Sequence, residues 1–112
     1  AIRSLNSNWY LQKVPMKKQK VLTTKEQNKK HILLKLGNEI RNAREKKHIS
    51  RVMLSHELYD YGFSLSVDSI ISYELGRVGI PPATLFIIAA ILDMDLMVVR
   101  KNLLEELKKF DM

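Results

Sequence analysis

The chain of 112 residues contains no cysteine, which excludes disulfides and thiolate metal sites and suits a reducing compartment. Histidine does not fill the gap. His31, His48 and His56 are scattered and form no His-x-x-x-His pair, so no metal is expected. No apolar run approaches the roughly 18 residues of a membrane span. The greasiest stretch, Ile80 to Leu92, is too short and holds Pro81, Pro82 and Thr84. A signal-peptide pattern is also missing at the N-terminus. There is no Gly-rich phosphate loop and no Ser in a nucleophile elbow. The acid pairs Glu105-Glu106 and Asp93/Asp95 read as a solvated face and a helix cap, not as a general acid–base pair. An enzyme is therefore not expected, and no cofactor, membrane or small-molecule ligand is implied.

What is present is one domain's worth of chain, 46% hydrophobic, enough for a single core. The net charge of +7 is unevenly placed. Residues 1–50 carry thirteen Lys/Arg against three Glu, a net +10, whereas residues 51–112 carry six against nine acids, a net −3. Such asymmetry points to a polyanionic partner for the front half, against the plainer reading of a solvated basic tail. Residues 1–22 are polar, basic and aperiodic, with Trp9 and Tyr10 expected to be exposed. Met16 opens Met-Lys-Lys-Gln-Lys, which resembles a natural start. Residues 1–15 are accordingly expected to come from an added segment or an upstream reading frame and are given no functional role. The folded domain is expected over residues 23–112.

No strand pattern and no internal repeat occur, and the fold class expected is all-α. Thr24 with Gln27 three residues on is a capping-box pattern. Ile32, Leu33, Leu36, Ile40 and Ala43 then recur at helical spacing, predicting a first helix over about 25–47. Gly37 within it permits either a kink or close packing. A second helix is expected over about 50–61 and a third over about 67–75. Gly62 supplies the reversal between them through φ > 0. Ser66 is the N-cap of the third helix and Gly76 its stop. Pro82 can open a fourth helix at its first turn, about 82–92, apolar nearly all round and so buried on most sides. Asp93 or Asp95 caps a last helix running to about Lys109.

Two helices joined across a short Gly-containing turn describe a helix-turn-helix, a unit that holds one helix out for a major groove. The residues also carry a family resemblance. Leu36-Gly37-Asn38-Glu39-Ile40-Arg41-Asn42-Ala43-Arg44 is followed by Ile49-Ser50-Arg51-Val52-Met53-Leu54-Ser55. Then come Ser69-Ile70-Ile71-Ser72-Tyr73-Glu74-Leu75-Gly76-Arg77 and Pro81, and finally Leu85, Ile88-Ala89, Leu92 and Met94. In this order they resemble the lambda-repressor-like helix-turn-helix regulators of the XRE family over residues 33 to 100. Two departures stand out. Arg51 replaces the family's usual Gln, and Leu54 to Glu74 is longer than in the shortest members, matching a form with an extra turn at Leu58, Gly62, Leu65 and Ser66.

The resemblance implies a five-helix lambda-repressor-like DNA-binding domain with extended N- and C-terminal helices. It implies a cytoplasmic, bacterial or phage transcriptional regulator, a repressor in the first instance. By position, Ser50 and Arg51 would face a phosphate, Ser66, Val67, Asp68, Ser69 and Ser72 would face the groove, and Arg77 would touch the backbone. Arg44 and Glu74 would form a salt bridge that sets the angle of the third helix. That helix has no Arg, Lys, Gln or Asn, the side chains of strong bidentate base contacts, so shape or the basic N-terminal segment is expected to carry part of the readout. The other class of reading is a protein-interaction module, antitoxin-like or inhibitory, that reuses the fold without specific DNA readout. Leu96, Val99, Leu103, Leu107 and Phe110 form an apolar stripe on the last helix, widened by Leu104. The stripe predicts a homodimer on a two-fold DNA operator, with folding back onto the chain's own domain as the alternative.

Overall fold

The computed structural model describes residues 23–109. Over these residues the chain is all-α. Five helices follow one another, α1 Thr24–Lys46, α2 Arg51–Asp60, α3 Val67–Glu74, α4 Pro82–Leu92 and α5 Leu96–Lys108, and no strand is present among the described residues. The basic segment 1–22, with Trp9 and Tyr10, and Phe110 at the other end lie outside the described residues.

Short-range chemistry sets the helix ends. α1 starts one residue earlier than the Thr24 cap predicts. Thr23 is the N-cap: its hydroxyl accepts from the Glu26 N–H at 3.1 Å, and the Glu26 carboxylate accepts from the Thr23 N–H at 2.8 Å. The two threonines are equivalent as caps, so the residue three positions on decides. A charged Glu accepts more strongly than a Gln amide and suits the positive end of the helix dipole. Ser50, Ser66 and Asp95 cap α2, α3 and α5 through bonds from the N–H groups of Met53, Ser69 and Met97. Asp93, the other candidate for the last cap, instead takes φ 55° where α4 ends.

The C-terminal ends share one device. After α3, the Gly76 N–H donates to Tyr73 O and the Arg77 N–H to Ser72 O, with Gly76 at φ 69°. The same pair of bonds closes α2 at Gly62, with φ 91°, and α1 at His48, with φ 59°. This left-handed turn satisfies the last carbonyls of a helix and reverses the chain. Three sharp reversals within some thirty residues bring α1, α2 and α3 onto one another.

The core is made by Ile40 of α1, Leu54 and Leu58 of α2, Ile70 of α3 and Ile88, Ile91 and Leu92 of α4. Each such Leu or Ile removed from water contributes roughly 1.5–3 kcal/mol. α4 is buried along Thr84, Ile88, Ala89, Ile91 and Leu92, but its opposite side is open. Phe86 is 61% exposed, so the helix is covered on fewer sides than its composition predicts. α3 packs on both α1 and α2. Its contact with α1 is close because Gly37 lies under the carbonyls of Tyr73 and Glu74, where a Cβ would collide with backbone. Gly37 therefore serves close packing.

The apolar stripe on α5 meets α1 of the same chain. α5 runs antiparallel to α1: Val98 and Val99 lie beside Glu39, Asn42 and Ala43, the Asn102 amide donates to Glu39 Oε2 at 3.1 Å, and Glu106 lies beside His31, Leu34 and Lys35. Val99 is buried and Leu96, Leu103 and Leu107 are half-buried. Over the described residues the stripe thus lies against α1 of the same chain, with Leu96, Leu103 and Leu107 still half open. The physical reason is that α1 has a second face: along the stretch where Ile40 enters the core, Glu39, Asn42 and Ala43 meet α5. No single helix among the described residues is long and apolar enough to cross a membrane, and the chain bends by 114° between α4 and α5.

Candidate nucleic-acid interface

Helix α3 is held at its end and open at its start. At the end, Glu74 is 2% exposed. Its carboxylate accepts from Arg44 Nε at 2.7 Å, from Arg44 Nη2 at 3.2 Å and from Arg51 Nε at 3.0 Å. Arg44 Nη1 donates to the Ile49 carbonyl at 2.9 Å. One buried carboxylate thus joins α1, α2 and α3. A buried charge without a partner costs several kcal/mol, so each of Arg44 and Glu74 depends on the other to be tolerated there. The fork of Arg44 fixes direction as well as distance. Together with the Gly37 contact, this ties the last turn of α3 to α1.

At the start of α3, Ser66 and Asp68 are exposed and Val67, Ser69 and Ser72 are half-buried. Asp68, Ser69 and Ser72 share a shallow hollow with Tyr73 and Val78. The Ser66 hydroxyl accepts from the Ser69 N–H at 3.1 Å and donates to Ser69 Oγ at 3.1 Å. Part of the polar capacity of the two serines is therefore spent on capping. Tyr73 and Val78 were not among the residues expected at this surface. Helical spacing puts Tyr73 one turn after Ser69, and it is half-buried, packed against the core.

The remaining expected contact residues are reachable. Ser50 and Arg77 are exposed and Arg51 is half-buried, its side chain 35% accessible. Arg51 has a second task that sequence reading missed, since its Nε is committed to Glu74. Its partner lies twenty-three residues away and no local pattern points to it. Its terminal nitrogens bond no group among the described residues.

The electrostatics divide between elements. Residues 49–81 hold Arg51 and Arg77 against Glu57, Asp60, Asp68 and Glu74, a net −2. Positive charge sits on α1, where eight Lys/Arg face three Glu over residues 23–48. Some of that charge is used internally. Lys47 caps the end of α4 through the Ile91 carbonyl at 3.1 Å and pairs with Asp93 at 2.9 Å, while Lys35 and Arg41 pair with Glu39 and Glu45. Lys29, Lys30 and Arg77 pair with no acid among the described residues, and they line one groove of about 500 Å³ with Glu26, Leu33, Leu75 and Gly76. Among the described residues no three His, Asp or Glu side chains are grouped to hold a metal ion. Compared with protein-family models, with curated proteins and with solved structures, the chain matches none.

Proposed function

We propose that this chain binds double-stranded DNA sequence-specifically as a cytoplasmic transcriptional regulator, a repressor by occupancy, with the lambda-repressor-like arrangement of the XRE family. One observation carries the reading: Arg44 and Arg51 close on Glu74 and fix the end of α3, while its first turns stay accessible. A helix presented in this way can be inserted into a groove without losing its orientation. Ser50, Arg51 and Arg77 would contact phosphates, and Ser66, Val67, Asp68, Ser69 and Ser72 would face base edges. Val67 suits a thymine methyl and Asp68 a cytosine amino group.

A two-fold operator calls for a second copy, because one eight-residue helix reads few bases. With the α5 stripe turned toward α1, Phe86 of α4 and Met97, Val98 and Leu104 of α5 are among the exposed apolar groups that would serve dimerisation. Selection of bound sites from random duplex DNA tests the reading. Enrichment of a common motif supports it; no enrichment at low salt sinks it. A second reading, a protein-interaction module, draws on the net −2 of residues 49–81 and the lack of Arg, Lys, Gln and Asn in α3. It expects no enriched motif and a partner protein bound at the same face.

A further inference from the structure

Glu26, Lys29, Lys30 and Leu33 recur at i, i+3, i+4 and i+7, one stripe along the first turns of α1. The end of α3 approaches this stripe so closely that a Cβ on Gly76 would meet Leu34 Cα at 2.7 Å. The result is the groove of about 500 Å³ lined by those four residues together with Leu75, Gly76 and Arg77. Three cations converge there. The one acid, Glu26, has its carboxylate on the Thr23 N–H at 2.8 Å in the capping box. Leu33 and Leu75 give the groove an apolar lining between the charges. Like charges drawn together in excess over acids repel, and a polyanion laid across them removes that repulsion and releases its own counterions.

We propose that this groove is a second DNA-backbone site, a clamp in which Lys29, Lys30 and Arg77 hold phosphates flanking the bases faced by α3. A DNA strand presents phosphates and the less polar faces of its sugars, and the groove offers cations together with Leu33 and Leu75. Arg77 belongs to both surfaces, because its backbone N–H closes the turn on Ser72 while its side chain lines the groove. The clamp thus continues the face assigned to α3. It also supplies positive charge that residues 49–81 lack. The proposal rests on the DNA-binding reading above.

The test uses the full chain and a duplex carrying the selected site with ten flanking base pairs on each side. Binding is followed by fluorescence anisotropy across a range of salt, and backbone contacts by hydroxyl-radical footprinting. Lys29→Gln/Lys30→Gln should lower the slope of log K against log salt by about 1.8, since each phosphate contact contributes about 0.9. Preference among base-pair variants should stay unchanged, and the footprint should shrink only in the flanks. Both lysines are exposed, so thermal unfolding should match the parent. If the parent binds the site and the double variant keeps both slope and footprint, the clamp is wrong while the DNA reading stands. A parent that selects no duplex at all, but binds poly-Glu in a manner lost in the double variant, assigns the groove to an acidic protein and overturns both.

Discussion

Toward the C-terminal half of α1, Arg44 and the neighbouring Arg51 close on the buried carboxylate of Glu74. Toward its N-terminal end, Lys29, Lys30 and Arg77 line an open groove in which no acid among the described residues pairs with them. Both clusters lie where α1 meets α3, and both gather positive charge. They differ in what answers it. In the first, the protein supplies the counter-charge, excludes water and spends the guanidinium donors on its own architecture. In the second, the charges are exposed and no acid among the described residues pairs with them, as suits groups that wait for a ligand. Charge alone therefore does not identify a binding residue. Arg44 is among the most buried charged side chains of the molecule, and Arg51, half-buried, is shared between the two uses.

The largest effect should come from breaking the buried cluster. Glu74→Ala leaves Arg44 buried without its partner and should destabilise the fold by about 3–5 kcal/mol in urea unfolding. A double-mutant cycle of Arg44→Ala with Glu74→Ala should show coupling well above the roughly 0.5 kcal/mol of independent sites. Simple additivity would mean that the carboxylate does not join the three helices.

Next in size is the contact that separates the two clusters. Gly37→Ala drives a methyl group against the carbonyls of Tyr73 and Glu74, and overpacking of this kind costs about 1–3 kcal/mol. Because α3 must move to relieve it, DNA binding should weaken more than stability alone requires. A variant as stable as the parent would show that α1 and α3 are further apart than described. Val99→Ala on α5 belongs in the same range, roughly 1–3 kcal/mol, since Val99 is buried in the chain's own fold. If the substitution left unfolding unchanged but shifted a dimer to monomer in sedimentation, the stripe would belong to a second copy after all.

The smallest stability effects belong to the open side. Arg51→Ala should cost under about 1 kcal/mol in folding, because its side chain is 35% exposed and solvent screens the pair. It should nonetheless weaken binding to all DNA sequences alike, as removal of a phosphate contact does. Asp68→Ala should change which bases are preferred instead. If both variants shift affinity by one common factor on every site, α3 does not face the bases.

What could be read from the sequence was local. Ser66, Gly62 and Gly76 act within four residues of themselves, so a cap and two left-handed turns were legible, and the five helices fall within a residue or two of their expected spans over the described residues. The Thr23/Thr24 register failed only because two equal caps stood side by side. What was not legible depends on partners far along the chain. Val99 and Leu103 carry the same pattern whether a second copy or α1 covers them. Arg51 shows no sign of Glu74, and Lys29 and Lys30 stand more than forty positions from Arg77. The buried pair of Arg44 and Glu74 was legible only through a family resemblance, because no periodicity links positions thirty apart.

The most direct test of the account is the salt dependence of duplex binding by the unmodified chain. Four phosphate contacts, from Lys29, Lys30, Arg51 and Arg77, predict that log K falls with log salt at a slope of about −3.6 or steeper. A slope near zero, or no binding at low salt, would contradict it.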